Sequence, residues 1–380
     1  MYCVAEGPVV ANNYYLRIFA AILILSVLFV TSCTDQGDKP DSTIKEENIL
    51  YLFNWNHYIA PETVKRFEQS CNCNLSQNYY SDNEEMLAKL AAGAAGYDLI
   101  VPTGNAMDSL IRQGVLKPLN KSLLSNFKNI HPAHLNTKFD PGNIYSVPYA
   151  YTLTLLGFNQ EKIRDLSLPV NTWAIIFEPK YLKKLKGRVT VLDSQRELMA
   201  AAFKYLGYSV NDTNEKHWNQ AKEMIIRAKP YWAAFSNTSY IRELASGNLW
   251  VAHGYSNDMY QAELDAQKSG REFTINYLTP NEGGVLSLDS MVLHQSGARA
   301  DLAHQFINFM LDGENSAELT NLIGSGNPNI NALKFIEPNI VNNKAVFPDK
   351  NLFARLEMLQ DFDQNQRRLL NRIWTEVKLR

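Results

Sequence analysis

Four short stretches combine carboxylates, amides and aromatic rings just beyond runs that read as β-strands. They are Asn54-Trp55-Asn56-His57-Tyr58, Pro102-Thr103-Gly104-Asn105, Asp193-Ser194-Gln195-Arg196-Glu197 and His253-Gly254-Tyr255-Ser256. In open α/β sheets ligands bind outside the carboxyl ends of strands, so these positions are the first candidates for a site. A fifth stretch, Leu286-Ser287-Leu288-Asp289-Ser290, sets one acid in an apolar run. A carboxylate there must be satisfied by an internal base or by a ligand, because burying it alone is costly. Aromatic faces beside carboxylates suit a cation, which gains about 0.5–2 kcal/mol from each ring contact.

The elements that position these residues follow from periodicity. Strands are expected at Ile49 to Phe53, Leu75 to Tyr80 and Tyr97 to Val101. Helices are expected from Pro61, after a cap at Asp82, and from Ala106. A β-α-β-α-β-α order predicts a mostly parallel sheet covered on both faces. The pattern returns with a strand at Arg188 to Leu192, helices at Ser194 to Leu206 and Glu215 to Lys229, and a strand at Leu249 to Ala252. Tyr145 to Thr154 is the expected crossing segment, Val285 to Leu293 a further strand, Asp301 to Leu311 a helix, and the tail from Leu352 is expected to be helical. The fold class is therefore α/β, with a first lobe at 48–153 and 255–312 and a second at 154–254 and 313–380.

Composition narrows the function. With 46% hydrophobic and 20% charged residues over 380 positions and a net charge of −2, the chain reads as folded, and it lacks the basic excess of a nucleic-acid binder. Arg17 precedes the apolar run Ile18 to Val30, too short to span a bilayer and suited to a signal peptide. Leu28-Phe29-Val30-Thr31-Ser32-Cys33 resembles a lipobox, which implies a processed, lipid-modified Cys33 and a chain anchored to a bacterial membrane in the periplasm or at the cell surface. Residues 34–47 are almost free of apolar side chains, as a flexible tether would be. Cys71-Asn72-Cys73 is either a close disulfide or a pair of thiols, and no ligand spacing points to a metal.

Several motifs resemble the spermidine- and putrescine-binding proteins in order and spacing: NWNHYI at 54–59, SDNEEMLAKL at 81–90, YDLIVPT at 97–103, GVLKPLNKSLLSNFKNI at 114–130, YSVPYAYTLTLLGFN at 145–159 and IWTEVK at 373–378. The resemblance implies a two-lobed periplasmic binding protein with hinge-crossing strands. It also implies a small cationic, polyamine-like ligand, permease subunits of an ABC importer as partners, no cofactor and a monomer. By the same resemblance Trp55 and Tyr58 form an aromatic wall, with Asn56 beside it, and Thr103 lines the pocket. Glu197 and Asp289 meet amines.

Alternatives stand beside several of these roles. Trp55 and Tyr58 also suit a loop packed on the core, Thr103 an ordinary turn, and Ser194 with Glu197 a helix capping box. The family pattern is broken where His253 stands for a tryptophan, Ser256 for an aspartate two residues before Asp258, and Ser325 for a tyrosine. His253 either stacks on a ligand or hydrogen-bonds inside its lobe. No nucleophile elbow, zinc-protease helix or phosphate loop points to an enzyme. A sensor or scaffold on the same fold is the other alternative.

Overall fold

The computed structural model describes residues 48–380. The expected signal segment, Cys33 and the tether 34–47 lie outside them. Among the described residues ten strands build the frame: β1 Ile49–Trp55, β2 Asn74–Tyr80, β3 Leu99–Ile100, β4 Leu116–Lys117, β5 Ser146–Asn159, β6 Val189–Val191, β7 Ala234–Phe235, β8 Val251–Tyr255, β9 Ile275–Leu278 and β10 Leu286–His294. Their order is β2-β1-β3-β10-β5-β8-β6-β7, with β4 on β10 and β9 on β5.

Each lobe contains the expected parallel pairs. β1 runs parallel to β2 and β3, and β6 runs parallel to β7 and β8. Antiparallel β10 and β5 interrupt the parallel grammar. β5 is the crossing strand, and all its residues are buried. Ser146 to Leu153 pair with β10 in the first lobe, whereas Thr154 to Phe158 pair with β8 and Leu156 to Asn159 with β9 in the second.

Local signals set the element ends. Pro61 opens the helix Pro61–Cys71, and Asn72 closes it in the left-handed region at φ 51°. Cys71 and Cys73 form a disulfide that ties this helix end to the start of β2. Asp82 caps Asn83–Ala91 by accepting the Glu85 amide at 2.7 Å. Glu85 reaches past the cap residue to the Ser81 amide at 2.8 Å, one residue beyond the usual capping box.

Packing corrects the expected lobe boundaries. The helix Ser256–Lys268 lies against Ser239–Ala245 and against β9. With β9 paired to the distal half of β5, residues 255–278 therefore belong to the second lobe, and the chain returns to the first through 280–285. Conversely, Gly313–Ile323 packs on Ala300–Met310, and Asn331 donates to Asn129 at 2.8 Å, so this part of the expected second lobe stays with the first. The tail is also not helical throughout. After one turn at Lys350–Phe353 it runs extended, with Glu357 bridging to Val285, until Asp363 caps the helix Gln364–Leu379 with a complete capping box.

Candidate ligand-binding site

In the first lobe the site is built around Asp289, on β10 at a register shift and bridged to Thr103 just beyond β3. The Tyr58 hydroxyl donates to one carboxylate oxygen at 2.6 Å and the Thr103 hydroxyl to the other at 2.5 Å. Asp289 is 6% exposed, and burial raises it to about pH 6 against the pull of those two donors. No basic side chain among the described residues contributes to its titration. The Tyr149 hydroxyl donates to the Tyr58 carbonyl at 2.8 Å, fixing the turn that carries Tyr58. Trp55 Nε1 and the Tyr80 hydroxyl both donate to the Val101 carbonyl, at 2.9 and 2.5 Å, and the two rings lie 4.7 Å apart. The indole is thereby held as a rigid wall beside the exposed turn residue Asn56.

In the second lobe Ser194 caps Gln195–Tyr205, its hydroxyl 3.4 Å from the Glu197 amide. The Glu197 side chain does not return to the cap. It accepts from Thr154 Oγ1 at 2.8 Å, at the point where β5 changes partners, and burial lifts it to about pH 7. Asp258, in the first turn of Ser256–Lys268, accepts from the Tyr240 hydroxyl and is raised by burial to about pH 6. Burial pushes the Tyr255 phenol well up, and so, in falling order, do Glu197, Asp258, Glu84 and Asp289. Tyr255 thus lies within electrostatic reach of acids from both lobes.

Two expected site residues turn inward. His253 is fully buried, edge-on to Trp173 at 5.5 Å, with its Nδ1 3.4 Å from the Leu192 amide. Burial lowers it to about pH 3, so it is a neutral interior residue. Ser256 Oγ accepts the Leu153 amide at 3.1 Å and binds its helix to the crossing strand. The cause is the length of β8, which extends to Tyr255 rather than stopping at Ala252. Tyr255 ends the strand, and Asp258 lies three residues beyond it in the first turn of the helix. Ser325 is wholly buried, and Asp193 is exposed and paired with Lys378 at 2.7 Å. Among the described residues no group of three or more His, Cys, Asp or Glu is arranged to hold a metal.

Residues 62–348 match the family described as bacterial extracellular solute-binding protein. The chain belongs to that family. This solute-binding protein is 55% identical over 331 residues to a putrescine/cadaverine-binding protein of Pseudomonas aeruginosa, with 87% of this chain and 94% of the relative covered. It is 31% identical to a putrescine-binding periplasmic protein of Escherichia coli over 88% of this chain and 92% of that one. A crystal structure of a Treponema pallidum lipoprotein, TpPotD, superimposes with a TM-score of 0.77 at 28% identity, covering 88% of this chain and all of the other. The two-lobed α/β fold expected from the sequence is the fold of these proteins.

The solute-binding protein therefore carries three acids that each receive a neutral hydroxyl: buried Asp289 on one lobe, buried Glu197 and half-buried Asp258 on the other. A hydroxyl donor eases burial of a carboxylate without supplying positive charge. Glu197 also feels the Arg196 guanidinium, which pulls it down against the larger lift of burial, whereas among the described residues no basic side chain acts on Asp289 or Asp258. Sequence reasoning noted Tyr255 and Asp258 but gave their places to His253 and Ser256. It missed Thr154 and Tyr240, whose roles depend on contacts 43 and 18 residues away.

Proposed function

We propose that this protein captures a short diamine of the putrescine and cadaverine class between its lobes and delivers it to the permease of an ABC importer. The observation that carries the reading is the set of three acids drawn from both lobes, Asp289 and Glu197 buried and Asp258 half-buried, with no ion pair to any of them among the described residues. Asp289 would take one ammonium group, Glu197 and Asp258 the other, with Trp55, Tyr58 and Tyr255 enclosing the methylenes. Asn56 would stand at the rim and Thr103 would hold Asp289 in place. The names of the relatives support this ligand class. The handover reading further takes the protein as a monomer held at a bacterial membrane by lipid on Cys33, with no catalytic step.

Only the closed form can offer both carboxylate poles to one ligand, so ligand binding biases the open–closed equilibrium. Titration calorimetry against putrescine, cadaverine and spermidine tests the proposal. Micromolar or tighter binding of a diamine without turnover is expected, and Asp289→Asn should weaken it about a hundredfold or more, since breaking a buried ion pair costs roughly 3–5 kcal/mol. Failure of every cation to bind would point instead to a scaffold.

A further inference from the structure

Residues 354–363 run between the lobes and are fixed to the second by many contacts. Lys204 pairs with Glu357 at 2.9 Å, Asn211 exchanges hydrogen bonds with the Met358 carbonyl and the Gln360 amide at 2.9 Å each, and Arg196 donates to the Gln360 carbonyl at 3.1 Å. Leu359 packs on Ala200 and Val210, and the Arg196 guanidinium lies 3.6 Å from the centre of the Phe362 ring. Glu357 also exchanges backbone hydrogen bonds with Gly284 and Leu286 where the chain crosses back to the first lobe.

The far end of this segment touches the first lobe. Arg112 Nη2 meets Asp361 Oδ2 at 2.6 Å, and Arg367 of the terminal helix stands 3.7 Å from the other Asp361 oxygen. Asp108, one turn before Arg112, also feels the Asp361 carboxylate and amide. Arg112 ends the helix Gly104–Arg112, which begins directly after Thr103, the donor to Asp289. A motion that draws Asp289 away from Glu197 must therefore carry Arg112 away from Asp361, because one rides on the first lobe and the other is strapped to the second.

We propose that residues 354–363 are a strap whose Arg112–Asp361 ion pair latches the lobes together and so sets how readily the site opens. The inference rests on the reading of a site closed between lobes, and it assigns a regulatory role to charges remote from the ligand. The Asp361 side chain is 17% exposed and that of Arg112 58%, so the pair falls in the range of partly exposed bridges and should alter the open–closed balance about two- to fivefold.

The test compares wild type, Arg112→Ala, Arg112→Glu and the charge-swapped Arg112→Asp/Asp361→Arg. The distance between spin labels on the two lobes is measured without ligand, and the dissociation rate of putrescine is measured by stopped flow. Both single variants should shift the ligand-free distances outward. Dissociation should be about two- to fivefold faster for Arg112→Ala and faster again for Arg112→Glu, with an unchanged unfolding midpoint and partial recovery in the swap. Wild-type distances and rates in Arg112→Glu would overturn the latch. If wild type binds no putrescine, the diamine reading fails while the ligand-free distances still decide the latch.

Discussion

Asp289, Asp258 and Glu197 share one physical condition: each is an acid largely withdrawn from water that accepts from a neutral hydroxyl. For each, the lift from burial outweighs every group that stabilises the charge, the Arg196 guanidinium beside Glu197 and the Asn257 amide on Asp258 included. Their ordinary values of 3.8, 3.8 and 4.5 rise to about 6, 6 and 7. A carboxyl whose folded-state value lies above its unfolded one contributes stability below the unfolded value, and that contribution is lost as pH rises through the folded value. The ligand-free protein should therefore lose stability from these groups between about pH 4 and 7, the window set by those shifts. A bound dication reverses the preference, because it favours the ionised acids while its own amines stay protonated well above neutrality. Affinity for putrescine should rise from about pH 5 to about pH 8 and then level off, with protons released on binding near pH 6. Calorimetry in two buffers of different ionisation enthalpy measures that release. A flat profile with no proton release would remove the three acids from the site.

At the level of elements, β5 decides whether the site exists, and it is held from the side by the 324–329 segment. Gly326 and Tyr151 exchange backbone hydrogen bonds at 2.8 and 3.1 Å, and the Tyr151 ring stacks on buried His134 at 4.9 Å. A methyl group at Gly326 would sit 2.0 Å from Tyr151 Cε2, and the stacked ring cannot yield without disturbing the strand. Gly326→Ala should cost about 1–3 kcal/mol in urea unfolding. A midpoint equal to wild type would show that the segment does not brace the crossing strand.

The same elements mark what the sequence could reveal. The two strand-helix series were legible because hydrophobic period and caps are local, and Asp289 stood out because its apolar neighbours isolate it. Glu197 was ambiguous because Ser-x-x-Glu reads alike whether the acid turns back to the cap or forward to Thr154, which only the fold brings near. The choice between the two readings of His253 is not legible because strand ends are weakly encoded: β8 runs three residues further than its sequence pattern suggests, which leaves His253 in the strand and buried, with Tyr255 at the strand end. The lobe boundaries failed for a similar reason, since a helix such as Ser256–Lys268 does not state in its sequence which sheet it will cover.

Across the whole molecule, the lobes are joined by a strand that belongs to both. Leu153 and Leu155 of β5 are buried in one core with Phe53 and Met86 of the first lobe and Tyr240 and Met259 of the second, while Leu156 and Phe158 enter the separate core of Trp173 and Trp218. Unfolding either lobe strips β5 of half its partners, so the described body should unfold in one cooperative transition. A ligand gripped by Asp289 on one side and Glu197 with Asp258 on the other stabilises that whole unit, by about 2.7 kcal/mol at a hundred times its dissociation constant. Scanning calorimetry at pH 8 should show a single peak that moves up with putrescine, and the shift should shrink at pH 5, where the acids are largely protonated, and fall to a small fraction of its wild-type size in Asp289→Asn. Two peaks, of which putrescine moved one alone, would mean that the ligand is held by a single lobe and that the acids of the other serve its interior.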